Sequence, residues 1–149
     1  MRGVTFVLSQ LGFHVSQRFG EAIAPLGLIP PHVGILQLVA REPGQSQQAL
    51  SSKLGIPANR LVGLIDELEA RELIRRERTP ADRRAFALQL TPEGEQMTAR
   101  VRALGAEHEA AILAPLSRAE RDQLAAMLRR LADAEGLAPG IHPGLRKMR

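Results

Sequence analysis

Residues 75–94 read RRERTPADRRAFALQLTPEG. Five arginines (Arg75, Arg76, Arg78, Arg83 and Arg84) flank a Thr79-Pro80-Ala81-Asp82 turn, and Phe86, Leu88 and Leu90 then alternate with other residues. Strict apolar alternation is the pattern of a strand buried on one face, and proline with aspartate suits a tight turn. The spacing predicts a β-hairpin with strands over 73–78 and 85–90. One face, with Leu73, Ile74, Phe86, Leu88 and Leu90, is expected to pack on helices, while the loop projects Arg83 and Arg84 into solvent.

Immediately upstream, PANRLVGLIDELEARE (57–72) places Leu61, Leu64, Ile65 and Leu68 on one helical face. At 100° per residue Asn59 and Gly63 lie opposite that stripe, with Ala58, Arg60 and Val62 on its flanks. The acids Asp66, Glu67 and Glu69 come only in the second half. Before this helix, Ser46 can cap a short helix with Leu50 and Leu54 inward, and Gly55 turns the chain between the two. Two short helices about a glycine turn, followed by an edge hairpin, are a winged helix-turn-helix.

In that arrangement the helix after the turn presents its N-terminal outer face to a DNA major groove. Asn59 can pair with an adenine edge and Arg60 with a guanine or a phosphate. Ala58, Val62 and Gly63 complete that face, and Ser46 and Gln47 are candidate contacts at the start of the preceding helix. Gly63 allows close backbone approach to DNA, or is a packing or tolerated glycine. On the hairpin, arginines on a narrow projection suit the minor groove, where the negative potential is enhanced. Arg76, Arg78, Asp82, Arg83 and Arg84 are therefore candidate contacts, with Asp82 holding an arginine fork in one rotamer. The plainer alternative makes Arg75, Arg76 and Arg78 solvated strand residues, paired with Glu77 and Asp82, that discourage edge pairing.

Outward from this unit the pattern is helical. Leu8, Leu11, Val15, Phe19 and Ala22 recur at helical spacing until Pro25, and a second helix from Pro31 carries an apolar arc wide enough to imply near-total burial. Thr91 and Pro92 open a long fifth helix whose Met97, Val101, Leu104, His108 and Ala111 form a seam that needs a partner. Ser117 and Glu120 form a capping-box pattern for a sixth helix with Leu124, Met127, Leu128 and Leu131 inward. The segment 136–149, rich in glycine and proline with a basic end, has no assigned structure at this level. The fold class is mainly α with a small β-wing, in one domain of 149 residues.

Composition narrows the chemistry. Lysine and arginine number 20 against 16 acidic residues, nearly all the bases are arginine, and the formal charge is +4, an excess that favours a polyanionic partner. The absence of cysteine removes disulfides, thiol nucleophiles and thiolate metal sites. Glu107-His108-Glu109 is the one local metal candidate, but adjacent helical residues point apart, so no metal or other cofactor is expected. No glycine-rich phosphate loop, nucleophile elbow or apolar carboxylate pair suggests an enzyme. The apolar run near the N-terminus is interrupted by Ser9, Gln10 and Gly12, which argues against a signal peptide, and no segment approaches the ~20 apolar residues of a membrane span. A cytoplasmic location is expected.

The stretch LGIPANRLVGLIDELEARELIRRERTPADRRAFALQLTPEG, residues 54–94, resembles the recognition helix and wing of the MarR family of bacterial transcriptional regulators. The likeness covers about residues 4–135, and its most specific elements are the wing's Asp82-x-Arg84, the L-T-P-x-G join at 90–94 and the D-x-L-E segment at 66–69. The resemblance implies a homodimer in which helices over 4–30 and 92–135 of two chains intertwine, while residues 31–91 of each offer one winged helix to an inverted-repeat operator. Such proteins are most often repressors. Many release DNA when a small aromatic or phenolic effector binds between the two lobes, and the resemblance then points to His14, Arg18 and His32; a surface ion pair for Arg18 and a helix-start role for His32 are the simpler readings. Two departures stand out. Glu72 stands where the family commonly has glycine, which suggests a tighter turn or a longer helix. Pro57, Val62 and Gly63 replace more usual polar residues, which shifts weight from direct base readout toward the wing. A winged-helix interaction module that has lost operator binding is the alternative.

Overall fold

The computed structural model describes residues 3–82 and 85–146. Helix α1 spans Val4–Ile23 and buries only Ile23 among its residues. Pro25 then starts a single 3-10 turn, Ala24–Leu26, closed by Gly27 in the left-handed region. Helix α2, Pro30–Arg41, opens on two prolines whose fixed φ and missing N–H suit a first turn. Seven of its residues are buried, as the wide apolar arc requires, and it runs through the centre of the core.

Helix α3, Gln47–Leu54, is capped by Ser46, whose Oγ accepts from the Ala49 N–H at 3.1 Å. Gly55, at φ 69°, ends it, and Pro57 leads into helix α4, Ala58–Ala70. Leu50, Leu54, Ile56, Leu61, Ile65 and Leu68 from this pair are all essentially inaccessible and lie in the same cluster as α2. Strands β1, Ile74–Arg78, and β2, Phe86–Leu90, pair antiparallel with Ile74 opposite Leu90, Arg76 opposite Leu88 and Arg78 opposite Phe86. The segment before α3 adds a bridge to this sheet: the Gly44 N–H donates to the Leu88 carbonyl and the Leu88 N–H to the Gln45 carbonyl, each at 2.9 Å.

The join between α4, the hairpin and the next helix explains two sequence features. Glu72 has φ 56°, the only positive φ outside glycine among the described residues, so the expected tighter turn or longer helix is replaced by a glutamate held in the conformation a glycine adopts freely. Thr91 caps helix α5, Pro92–Ile112, accepting from the Gly94 N–H at 2.9 Å, while its own N–H donates to the Leu73 carbonyl at 3.2 Å and its hydroxyl to the Glu72 carbonyl. A Cβ on Gly94 would stand 1.9 Å from the Leu73 carbonyl oxygen, so only glycine lets the first turn of α5 sit against the backbone just before β1.

Along α5, Val101 is buried, Met97, Leu104 and His108 are half-buried and Ala111 is exposed; the His108 ring lies against Phe19 of α1 at 5.9 Å. Helix α6, Arg118–Ala134, starts with the capping box formed by Ser117 and Glu120 and has no buried residue. Leu124 is half-buried, whereas Met127, Leu128 and Leu131 are exposed, so the stripe expected to face inward turns away from the chain's own core. The first helix is similar: Val4, Phe6, Leu11 and Phe13 are exposed. The segment after α6, unassigned from sequence, runs back to the winged-helix unit and ends in a 3-10 turn, Pro143–Arg146, with Leu145 buried. No single helix among the described residues is long and apolar enough to cross a membrane.

Candidate nucleic-acid interface

Helix α4 is sharply two-sided. Leu61, Leu64, Ile65 and Leu68 face the core, and Ala58, Asn59, Val62 and Gly63 are exposed on the other side, with Arg60 half-buried on the flank. A Cβ on Gly63 would meet nothing within 4 Å, so the packing role considered for it is absent among the described residues. The first half of this outer face carries no acid.

The second half does, and Arg76 answers it. Its side chain is only 16% exposed; Nη2 donates to Asp66 at 2.6 Å, Nη1 to Glu69, and Nε to the Gln47 Oε1 at 3.2 Å. Arg76 is therefore neither a free groove-reaching cation nor a solvated strand residue, the two readings open from sequence, but a fastener that joins the hairpin to α3 and α4. The register gives the reason: Arg76 lies opposite Leu88 and on the same strand face as Ile74, which is turned toward the helices. Its charge also offsets two carboxylates at the edge of the exposed α4 face. Gln47 is held in the same knot, and Ser46 is occupied as the α3 cap.

The other wing residues divide by the same alternation. Arg75 points out and pairs with Glu77 at 2.7 Å, both more than two-fifths exposed, which is the plain solvated pairing. Arg78 lies over the Phe86 ring, 5.7 Å from its centroid. At the loop, the Thr79 hydroxyl donates to the Asp82 carbonyl at 2.8 Å and accepts from the Asp82 N–H at 3.3 Å, closing the described part of the turn. Arg83 and Arg84 lie outside the described residues.

The three effector candidates differ in exposure. His14 and Arg18 are exposed on α1. His32 is 5% exposed; its Nδ1 accepts from the Ile29 N–H at 3.2 Å, so Nε2 carries the proton and donates to Glu67 at 2.7 Å. Both nitrogens are committed to holding the start of α2 against α4. These bonds are those of the helix-start role considered for it. Sequence reasoning missed Arg71, at the end of α4, whose guanidinium donates to the Leu26 and Gly27 carbonyls at 2.7 Å each and ties α4 to the α1–α2 connection. Nothing in the local sequence marks those carbonyls, which are more than forty residues away.

A sequence model of the MarR family matches residues 26–85. A protein of Thauera aromatica assigned as transcriptional regulatory protein for the hcr operon is 33% identical over 138 residues, 87% of this chain and 83% of that protein. The chain belongs to the MarR family. A second relative, the transcriptional regulator HosA of Escherichia coli O111:H-, is 30% identical over 107 residues, covering 72% of this chain and 79% of its own. Among solved structures, the transcriptional repressor CouR bound to a 23-mer DNA duplex superposes with a TM-score of 0.76 at 34% identity, covering 87% of this chain and 92% of that one. This MarR-family protein is accordingly a transcriptional regulator and not an enzyme, with the winged helix read from residues 54–94.

Proposed function

We propose that two copies of the chain bind one inverted-repeat DNA operator in the cytoplasm, each setting the N-terminal half of α4 in a major groove and the hairpin loop in the adjacent minor groove, and that the bound protein represses. The observation that carries this reading is the outer face of α4: Ala58, Asn59, Val62 and Gly63 are exposed and acid-free, and Arg76 offsets the Asp66 and Glu69 carboxylates that follow. The duplex in the CouR structure supports the same partner. Asn59 and Arg60 supply polar contact on α4, Arg83 and Arg84 supply it on the loop, and Arg76, with Gln47, holds the two readers at a set angle.

Two-fold pairing is supported by the apolar surface the single chain leaves uncovered on α1 and α6, where Phe6, Phe13, Met127 and Leu131 are each more than half exposed. With two-fold symmetry the recognition helices face successive major grooves, ~34 Å apart. Release by a small aromatic or phenolic effector rests on the family resemblance, with His14 and Arg18, exposed on α1, and His32, at the start of α2, as its candidate groups.

The test is selection of bound duplexes from a random DNA pool at two salt concentrations, with sedimentation to fix the number of chains. An enriched inverted repeat bound by a dimer, with affinity falling steeply as salt rises, is the expected result. Arg84→Ala should weaken duplex binding severely and leave the dimer intact. A pool without enrichment would favour the interaction module, for which the plain Ala58, Val62 and Gly63 surface is the argument.

A further inference from the structure

After Val101 the chain leaves the core, and Leu145 is the one later residue among those described that is buried again. We propose that residues 137–146 are an intrachain strap that ties the far end of α6 to α1, α2 and α3, and so limits how the winged-helix unit moves against the long helices.

The path is built by local geometry. Gly136 turns the chain off α6 in the left-handed region, with the Leu137 N–H returning to the Ala132 carbonyl at 3.0 Å. Gly140, also left-handed, lies where a Cβ would be 3.1 Å from the Arg41 guanidinium at the end of α2. Ile141 packs on the core cluster. His142 accepts from the Gly144 N–H at its Nδ1, 3.0 Å, which leaves Nε2 to donate to Ser16 Oγ on α1 at 3.4 Å.

Two glycines leave room for the strap's end. Leu145 Cδ1 lies 3.1 Å from where a Gly34 Cβ would stand in the middle of α2, with Leu54 of α3 beside it. The Arg146 side chain crosses Gly55, where a Cβ would come within 2.5 Å of its Nε. A glycine inside a helix costs roughly 1 kcal/mol of helix propensity, and at position 34 the space it opens is filled by Leu145. The strap thus bears on the helix-turn-helix pair itself, three residues before the first turn of α4, while its other end is the terminus of α6. Any change of angle between the winged-helix unit and the long helices must stretch or release it.

The consequence for DNA rests on the operator-binding reading above; the strap itself does not, and the two are separable. Hydrogen exchange of the full chain, of Leu145→Asp and of a chain ending at Gly136 measures the strap without DNA. Exchange over residues 34–56 should quicken by about tenfold or more in both altered chains, because local opening no longer exposes a plugged apolar side chain. The hairpin at 74–90 should be unaffected, and Gln123→Ala, exposed on α6 and outside the strap, should match the parent. Unchanged exchange in both altered chains overturns the strap. Faster exchange with duplex affinity unaltered, in a chain that binds duplex, overturns its hold on the DNA-binding unit. Failure of every form to bind duplex removes the operator reading and leaves the exchange result standing.

Discussion

Glu72→Gly should make the protein more stable, although it deletes a side chain and adds a flexible residue to a turn. Glu72 sits at φ 56°, with its N–H donating to the Glu69 carbonyl at 2.9 Å and its own carbonyl accepting from the Thr91 hydroxyl. Both bonds are made by the backbone and survive the change. A residue with a Cβ gives up roughly 1–2 kcal/mol to occupy the left-handed region. Glycine avoids that cost but returns about 0.4–1 kcal/mol through the greater freedom of its unfolded chain. The net gain is about 0.5–1 kcal/mol, which for a chain of this length raises the midpoint by roughly 1–4 °C. Thermal unfolding followed by circular dichroism, at one protein concentration because association also stabilises, reads it directly. Glu72→Asn should fall between, since asparagine tolerates this region, and Glu72→Ala should gain nothing because it keeps the Cβ. A glycine variant no more stable than the alanine variant would refute the reasoning.

Gly94→Ala should lose about 3 kcal/mol or more, because its Cβ meets the Leu73 carbonyl rather than a movable side chain; a denaturant midpoint near the parent's would contradict the close approach of α5 to Leu73. His32→Ala should lower stability by about 2–3 kcal/mol through the orphaned Ile29 N–H and the space left behind, and calorimetry checks it. An unchanged midpoint combined with a lost effector response would give His32 a binding role instead of a structural one. The Glu120 carboxyl is held below its usual range by bonds from the Ser117 backbone N–H and then the Ser117 hydroxyl. A carboxyl depressed in the folded state stabilises above its unfolded value, and that contribution fades as pH falls through the folded one. The melting difference between the parent and Glu120→Gln should therefore be present near neutrality and close at acid pH; a gap that widens on acidification would count against the cap.

The residues that were readable in advance act over short distances. Ser46, Gly55, Thr91 and Ser117 begin or end helices through bonds to atoms within four residues, and Leu61, Leu64, Ile65 and Leu68 declare a buried face by spacing alone. Strand alternation also carries the placement of Arg76: counting by two from Ile74 puts it on the inward face of the hairpin. The α6 stripe was periodic but not informative about what it packs on, since an apolar face looks the same whether its cover is the same chain or another.

By itself the sequence determined the order of helices, the wing and the family, because caps, turns and periodicity are written in neighbouring residues. Only the tertiary structure decided that Arg76 serves Asp66, Glu69 and Gln47, that the two nitrogens of His32 pair with the Ile29 N–H and with Glu67, and that Leu145 closes on Gly34. Each of those depends on which polar or apolar partner a distant stretch of chain brings within reach, and a guanidinium, an imidazole or a leucine carries no mark of that partner in the residues beside it.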